Sequence, residues 1–107
     1  MSVERIRALN DAFRTTFSGG KVMMTAGVDA LSNVLKGLLI AKVQAYDGFT
    51  ADNDPHGEHD FGALDFLGKK FFWKIDYYDA AIEFGSEDPA DPSKTIRVLT
   101  IMLAEEY

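Results

Sequence analysis

Residues 71–78, FFWKIDYY, alternate between two sets of side chains, and this alternation decides the fold class. Because successive side chains of a β-strand point to opposite faces, the stretch predicts a strand with one apolar and one more polar face. The first face is expected to pack in the core, and the second to meet solvent or a partner. The two faces are Phe71, Trp73, Ile75 and Tyr77 on one side and Phe72, Lys74, Asp76 and Tyr78 on the other.

Two short apolar segments flank this strand, each across a two-residue turn. Residues 61–67 precede it, with residues 68–69 (Gly-Lys) as the turn, and residues 81–84 follow it. Strands joined by such short connections pair antiparallel. The sequence therefore predicts a three-stranded antiparallel meander.

Three other segments repeat apolar residues at steps of three and four, which predicts amphipathic helices. They are residues 3–17, 33–46 and 96–107. The second is more apolar than the first and is expected to be more buried, although residues 38–43 could instead form a strand. With a short strand predicted at residues 21–25, the order is α-β-α-β-β-β-α. This order indicates an α+β domain in which about three helices pack on one face of a mainly antiparallel sheet of three or four strands.

Length and composition limit the class of protein. The chain has 107 residues, of which 47% are hydrophobic, and these values fit one folded domain over residues 1–107. It contains no cysteine, which excludes a disulfide framework, a thiolate metal site and a cysteine nucleophile. No apolar run approaches the ~20 residues of a membrane span, and the first residues lack the apolar core of a signal peptide. These features predict a cytoplasmic protein that does not contact a membrane.

The formal net charge of -6 is unevenly distributed along the chain. Residues 1–46 carry a balance of +3, residues 47–91 a balance of -9, and residues 92–107 are neutral. Phosphate contacts need clustered lysine and arginine, so this acidity argues against direct binding of nucleic acid. The negative charge either keeps the protein soluble or forms an acidic face that binds a basic partner or a cation.

Residues 52–60, DNDPHGEHD, contain both histidines of the chain and four carboxylates. An EF-hand loop would need a glutamate where this sequence has Ala63, and the histidines are spaced three apart rather than the four of a zincin helix. The segment also suits a loop folded by its own Asx-turns. Two functional interpretations stay open, namely a metal site of Asp54, His56 and His59 and an acid–base site of His59, Glu58 and Asp60. No nucleophile elbow, Walker loop or dinucleotide fingerprint accompanies them.

Four segments together resemble the DUF3768 family, a domain of unknown function found in short alphaproteobacterial proteins. They are IRALNDAFRTTFSGGKVMMTAGV (6–28), FTADNDPHGEHDFGA (49–63), FFWKIDYYD (71–79) and SEDPADPSKTIRVLTIMLAEEY (86–107). The resemblance covers nearly the whole chain, but it implies no activity, cofactor or catalytic residue. Relatives are often encoded with plasmid or integrated mobile-element genes. This context implies an accessory role, such as inhibition of a host defence system or plasmid maintenance.

Two functional hypotheses follow from these observations. The first is a non-enzymatic module that binds a protein partner with a basic surface and needs no cofactor. The second is a small metal-assisted or acid–base hydrolytic enzyme that uses the loop at residues 52–60. A homodimer formed through a sheet edge or the aromatic strand is a third alternative. The expected binding residues are Asp52, Asp54, Glu58, Lys74, Asp76, Tyr78, Glu87 and Asp88.

Overall fold

A four-stranded mixed sheet forms the centre of the fold, and its strands lie in the order β1-β4-β3-β2. The computed structural model describes residues 2–107. Strands β2–β3 and β3–β4 pair antiparallel, and β1–β4 pair parallel. The elements are α1 (Val3–Thr16), β1 (Gly20–Met24), α2 (Ala26–Asp29), α3 (Asn33–Gln44), β2 (Phe61–Phe66), β3 (Lys69–Tyr78), β4 (Ile96–Leu103) and a 3-10 turn (Ala104–Glu106). The predicted α+β class, with helices on a mainly antiparallel sheet, is confirmed.

The helices pack against one face of the sheet, as the alternation of β3 predicts. Phe13 of α1, Val28 of α2 and Leu39 of α3 form a continuous core with the sheet. Trp73 and Leu99 stand at the centre of that core and are fully buried. The opposite face of the sheet is not covered by these helices, and we call it the open face.

The prediction of a third helix at residues 96–107 is wrong, because residues 96–103 form the inner strand β4. Apolar residues at 96, 99, 102 and 103 fit a helical stripe, but Val98 and Ile101 are also buried. A strand between two neighbours is buried on both faces and reads as a nearly continuous apolar run. The part of this stretch that is helical is a short 3-10 turn at Ala104–Glu106.

Residues 81–84, predicted as the third strand of the meander, form a tight turn instead. Phe84 accepts a backbone hydrogen bond from Asp79 at 2.8 Å, and Ile82 has a positive φ of 57°. An isolated bridge between Tyr78 and Gly85 closes the turn. The strand that pairs antiparallel with β3 on the side away from β2 is β4, which follows after a longer connection.

Both long helices begin at serine caps, since Ser2 accepts from the Arg5 N–H and Ser32 from the Leu35 N–H. The helical alternative for residues 33–46 is confirmed over Asn33–Gln44. The expectation that this helix is more buried than α1 is wrong. Its outer side carries apolar residues in contact with solvent, and Val34 is 73% exposed.

The hairpin between β2 and β3 turns at Leu67-Gly68, one residue earlier than the predicted Gly-Lys pair. Both residues have positive φ, 57° and 73°, as a type I′ turn requires. Glycine adopts this conformation readily, but a branched apolar side chain does so at a cost. Leu67 is also 54% exposed, so its side chain gains little from burial.

Replacing Leu67 by asparagine is therefore expected to raise the free energy of unfolding by about 0.5–1 kcal/mol, because asparagine visits left-handed backbone at lower cost. Urea denaturation measures the change. Leu38→Asn is the control, since Leu38 is equally exposed but helical, and asparagine is a poor helix former. Equal losses of stability in both variants would show that the turn is not strained.

Candidate functional site

The open face contains a groove of about 570 Å³ that crosses three strands. β4 forms its floor, with β1 on one side and β3 on the other. The 3-10 turn closes one end, and the turn at residues 79–84 contributes Ile82. The lining residues are Met23, Thr25, Lys74, Asp76, Tyr78, Ile82, Val98, Thr100, Met102, Glu106 and Tyr107.

The polar wall of the groove is the β3 face that the sequence predicts to meet solvent or a partner. Lys74 and Asp76 form an ion pair at 3.1 Å, and each side chain is about one-third exposed. The hydrogen bond that Lys74 donates to the Asp76 carboxylate raises the pKa of Lys74, so the lysine is charged at neutral pH. Tyr78 lies on the same face and lines the same groove. The placement of these three residues together is confirmed, and their role in binding stays a prediction.

The remainder of the groove is mainly apolar. Val98 and Met102 are buried in its floor, whereas Met23 on β1 is 57% exposed. Tyr107 packs edge-on against Phe72. Methionine and tyrosine are adaptable contact residues that are common at protein interfaces.

Glu106, in the 3-10 turn at the end of the groove, forms hydrogen bonds with the start of α2. Its carboxylate accepts from the Thr25 hydroxyl at 2.6 Å, the Gly27 N–H at 2.8 Å and the Leu103 N–H at 3.0 Å. These hydrogen bonds, that from Thr25 above all, lower the pKa of Glu106. The end wall is therefore held by an ionised carboxylate with several partners.

A second, smaller cleft of about 350 Å³ lies where residues 47–60 meet α1. Residues 47–60 and 85–91 are rich in Asp and Glu, and we call them the acidic loops. At its side, His59 Nδ1 lies 2.9 Å from one oxygen of Asp11 and 3.1 Å from the other. His59 Nε2 lies 3.7 Å from Asp54 Oδ2, and its ring stacks on Phe49 with centroids 3.7 Å apart. His59 also has a positive φ of 55°. Both ring nitrogens thus face carboxylates.

Arg14 forms the wall of this cleft and is only 4% exposed. It donates to Asp11 at 3.0 Å and to the Tyr46 carbonyl at 3.2 Å. Its guanidinium lies 5.3 Å from the ring centre of Phe49 and 5.2 Å from that of Trp73, within the range of a cation–π contact. Asp11 therefore joins the histidine of the loop to a buried arginine of the helix.

The residues of the two enzymatic alternatives contact different partners. Tyr77 donates to the Glu58 carboxylate at 2.6 Å, on the side of the sheet core rather than of the cleft. Burial raises the pKa of Tyr77, and burial together with nearby Glu58 raises the pKa of Asp60. His56 is exposed. Among residues 2–107, no group of three or more His, Cys, Asp or Glu side chains is arranged to hold a metal ion, so Asp54, His56 and His59 do not form such a group.

The acidic loops contact the basic first half of the chain more than the sequence suggests. Arg5 donates to the Ala90 carbonyl at 2.7 Å, and Arg7 to the Gly57 carbonyl at 3.3 Å. Of the predicted binding residues, Asp54, Glu58 and Asp88 accept hydrogen bonds within the fold, whereas Asp52 and Glu87 are exposed. The acidic surface is therefore interrupted rather than continuous.

Several residues of both sites are absent from the sequence-based list. Asn10 and Arg14 are buried on α1, where a polar residue next to an apolar helical stripe could have indicated a buried hydrogen bond. Met23 and Ile82 carry no sequence signal, because their place at the groove depends on the pairing of β1 with β4 and on the turn after β3. The other omissions are Asp11, Thr25, Tyr46, Asp47, Phe49, Val98, Thr100, Met102, Glu106 and Tyr107.

None of the helices formed by residues 2–107 is long and apolar enough to cross a membrane. A family model described as a protein of unknown function (DUF3768) matches residues 24–106. Comparisons with the curated proteins and with the solved structures found no match.

Proposed function

Since the chain belongs to the DUF3768 family, whose description assigns no activity, we propose from the geometry of the open face that it is a protein-binding module. The observation that carries this proposal is the groove across β1, β4 and β3. An uncovered sheet face with clustered apolar and aromatic side chains is typical of an interaction site. The charged pair of Lys74 and Asp76 gives this surface polar contacts that can orient a partner.

The proposed partner presents an apolar or aromatic side chain flanked by basic residues. Lys74 and Asp76 neutralise one another, so the unpaired charge near the groove comes from its ends. Glu83 follows Ile82 in the turn, and Glu105 precedes Glu106 in the 3-10 turn, and both glutamates are exposed. With a net charge of -6 on the whole chain, these carboxylates favour a basic segment.

An accessory function fits this chemistry. Nucleic-acid-binding proteins carry basic surfaces, and the mobile-element context that the family resemblance implies favours an inhibitor of such a protein. A host defence protein that acts on nucleic acid is the proposed class of target. The chain would compete electrostatically for the surface on which that target holds its nucleic acid.

Binding is preferred over hydrolysis because of the arrangement of His59. Both of its ring nitrogens face carboxylates, and the residues that line its cleft include no serine, threonine, cysteine or lysine. This arrangement suits a side chain that holds the loop against α1. A general base would instead need a free nitrogen directed at the reacting group.

Selection of peptides from a displayed library on the immobilised protein tests the proposal. We expect enrichment of peptides with an aromatic or aliphatic residue next to lysine or arginine. Met23→Lys is expected to weaken their binding about tenfold or more, because it removes an apolar contact and repels a basic segment. Val34→Lys is the matched control, since Val34 is an equally apolar, more exposed residue on the helical side, and it should change affinity less than about twofold.

The salt dependence of binding gives an independent measurement. Affinity of the selected peptides should fall as ionic strength rises, because the unpaired glutamates lie in solvent, where salt screens them. Equal weakening by both lysine variants, or binding that does not respond to salt, would contradict the proposal.

A further inference from the structure

β1 is an edge strand of five residues with one paired side. Its parallel partner is β4, and among residues 2–107 no hydrogen bond joins it to another segment on its outer side. Such an edge presents backbone donors and acceptors in a row and can accept an additional strand. The edge strand β2 at the other end of the sheet contributes no residue to the groove, whereas β1 contributes Met23.

The direction of each backbone amide of β1 follows from its register with β4. The Thr25 N–H, immediately after the strand, donates to the Ile101 carbonyl at 3.1 Å. Because backbone direction alternates along a strand, the Met23 N–H also points toward β4. The N–H groups of Val22 and Met24 then point outward from the edge.

The side chains of β1 alternate between the core face and the open face of the sheet. Val22 and Met24 pack against the core, while Met23 faces the groove. A strand laid against the outer edge would therefore place every second side chain beside Met23, on the open face. The edge and the groove form one continuous surface.

We propose that the partner's segment binds as a fifth strand along β1, with alternate side chains lying at the groove. This inference rests on the proposed function and specifies the mode of recognition. In this mode backbone hydrogen bonds supply affinity, and the side-chain groove supplies selectivity. The basic flank of the segment lies at the carboxyl end of β1. That end lies next to the 3-10 turn that contains Glu105, because Glu106 of the same turn accepts a hydrogen bond from Thr25. It is also the end of β1 that lies away from Lys21.

Amide hydrogen exchange of the nitrogen-15-labelled protein tests the inference, with one of the library-selected peptides as the probe. The expected result is slower exchange of the Val22 and Met24 amides by about tenfold or more on peptide binding, as for newly bonded amides. The Met23 amide, already directed at β4, is the internal control and should change far less. Peptide that binds in a Met23-dependent way without protecting Val22 and Met24 would overturn the added strand and leave the proposed function intact. Peptide binding that Met23→Lys leaves unchanged would overturn the proposed function itself.

Backbone N-methylation of the peptide provides a second test that leaves the protein unaltered. Methyl groups on one set of alternate nitrogens should abolish binding, and methyl groups on the other set should be tolerated, because only one set faces β1. Equal effects of both sets would overturn the inference. So would a free protein that is already dimeric with protected Val22 and Met24 amides, since a second copy would then occupy the edge.

Discussion

Replacing Asn10 by leucine is expected to lower the free energy of unfolding by about 3 kcal/mol or more. Asn10 is fully buried and makes three side-chain hydrogen bonds. It donates to the Glu58 carbonyl at 2.9 Å and to the Tyr77 hydroxyl at 2.8 Å, and it accepts from Arg97 Nε at 2.7 Å. Leucine would leave the Glu58 carbonyl and Arg97 Nε without these hydrogen bonds in the interior, at about 1–3 kcal/mol for each, and Arg97 carries a charged guanidinium. The Tyr77 hydroxyl would lose the hydrogen bond from Asn10 and keep the one that it donates to Glu58.

Chemical denaturation of the variant and of a matched control measures this effect. Asn33→Leu makes the same change at an exposed position in the first turn of α3 and should stay within about 0.5 kcal/mol of the parent chain. If Asn10→Leu stayed within that range as well, the three hydrogen bonds would not be important to stability. Because Asn10 joins α1 to β3, to β4 and to the acidic loop, the variant should also loosen the loop around His59.

Replacing Gly62 by alanine is expected to cost about 2–3 kcal/mol, at the upper end for an overpacked core. A Cβ at this position would collide with Trp73 Nε1 and would lie 2.7 Å from Trp73 Cε2. The indole is fully buried and pairs directly across from Gly62 on β3. Neither the ring nor the strand can move without disturbing the core, so the strain is retained.

Gly37→Ala is the control, because a Cβ there meets nothing within 4 Å. Gly37 lies inside α3, where alanine is favoured over glycine by about 0.5–1 kcal/mol. The same substitution is thus expected to lower the melting temperature at position 62 and to raise it at position 37. A rise at both positions would mean that the indole has free space beside β2.

The alternation of residues 71–78 predicted strand β3 and its two faces because it reflects local geometry alone. It distinguished the buried Trp73 face from the face of Lys74, Asp76 and Tyr78. Residues 96–103 could not be assigned in the same way. An inner strand has no polar face, so its apolar residues also satisfy a helical period, and only the positions of β1 and β3 identify it as a strand.

The candidate site was predictable in part for the same reason. Residues that share a strand are placed together by the sequence, as Lys74 and Asp76 are. Asp11 and His59 are 48 positions apart, and their contact depends on how the loop folds back over α1. The arginines of α1 likewise lie against the acidic loops. The net charge of residues 47–91 therefore overestimates the negative charge that these loops present to a partner.

The parallel pairing of β1 with β4 has a consequence for the order of folding. Gly20 meets Arg97 across more than seventy residues of intervening chain, and closing so long a loop is entropically costly and slow. The β2–β3 hairpin is local by comparison and is expected to form early. We expect β1 to dock last, so that a folding intermediate would expose β1 and the unpaired side of β4 to association with other chains.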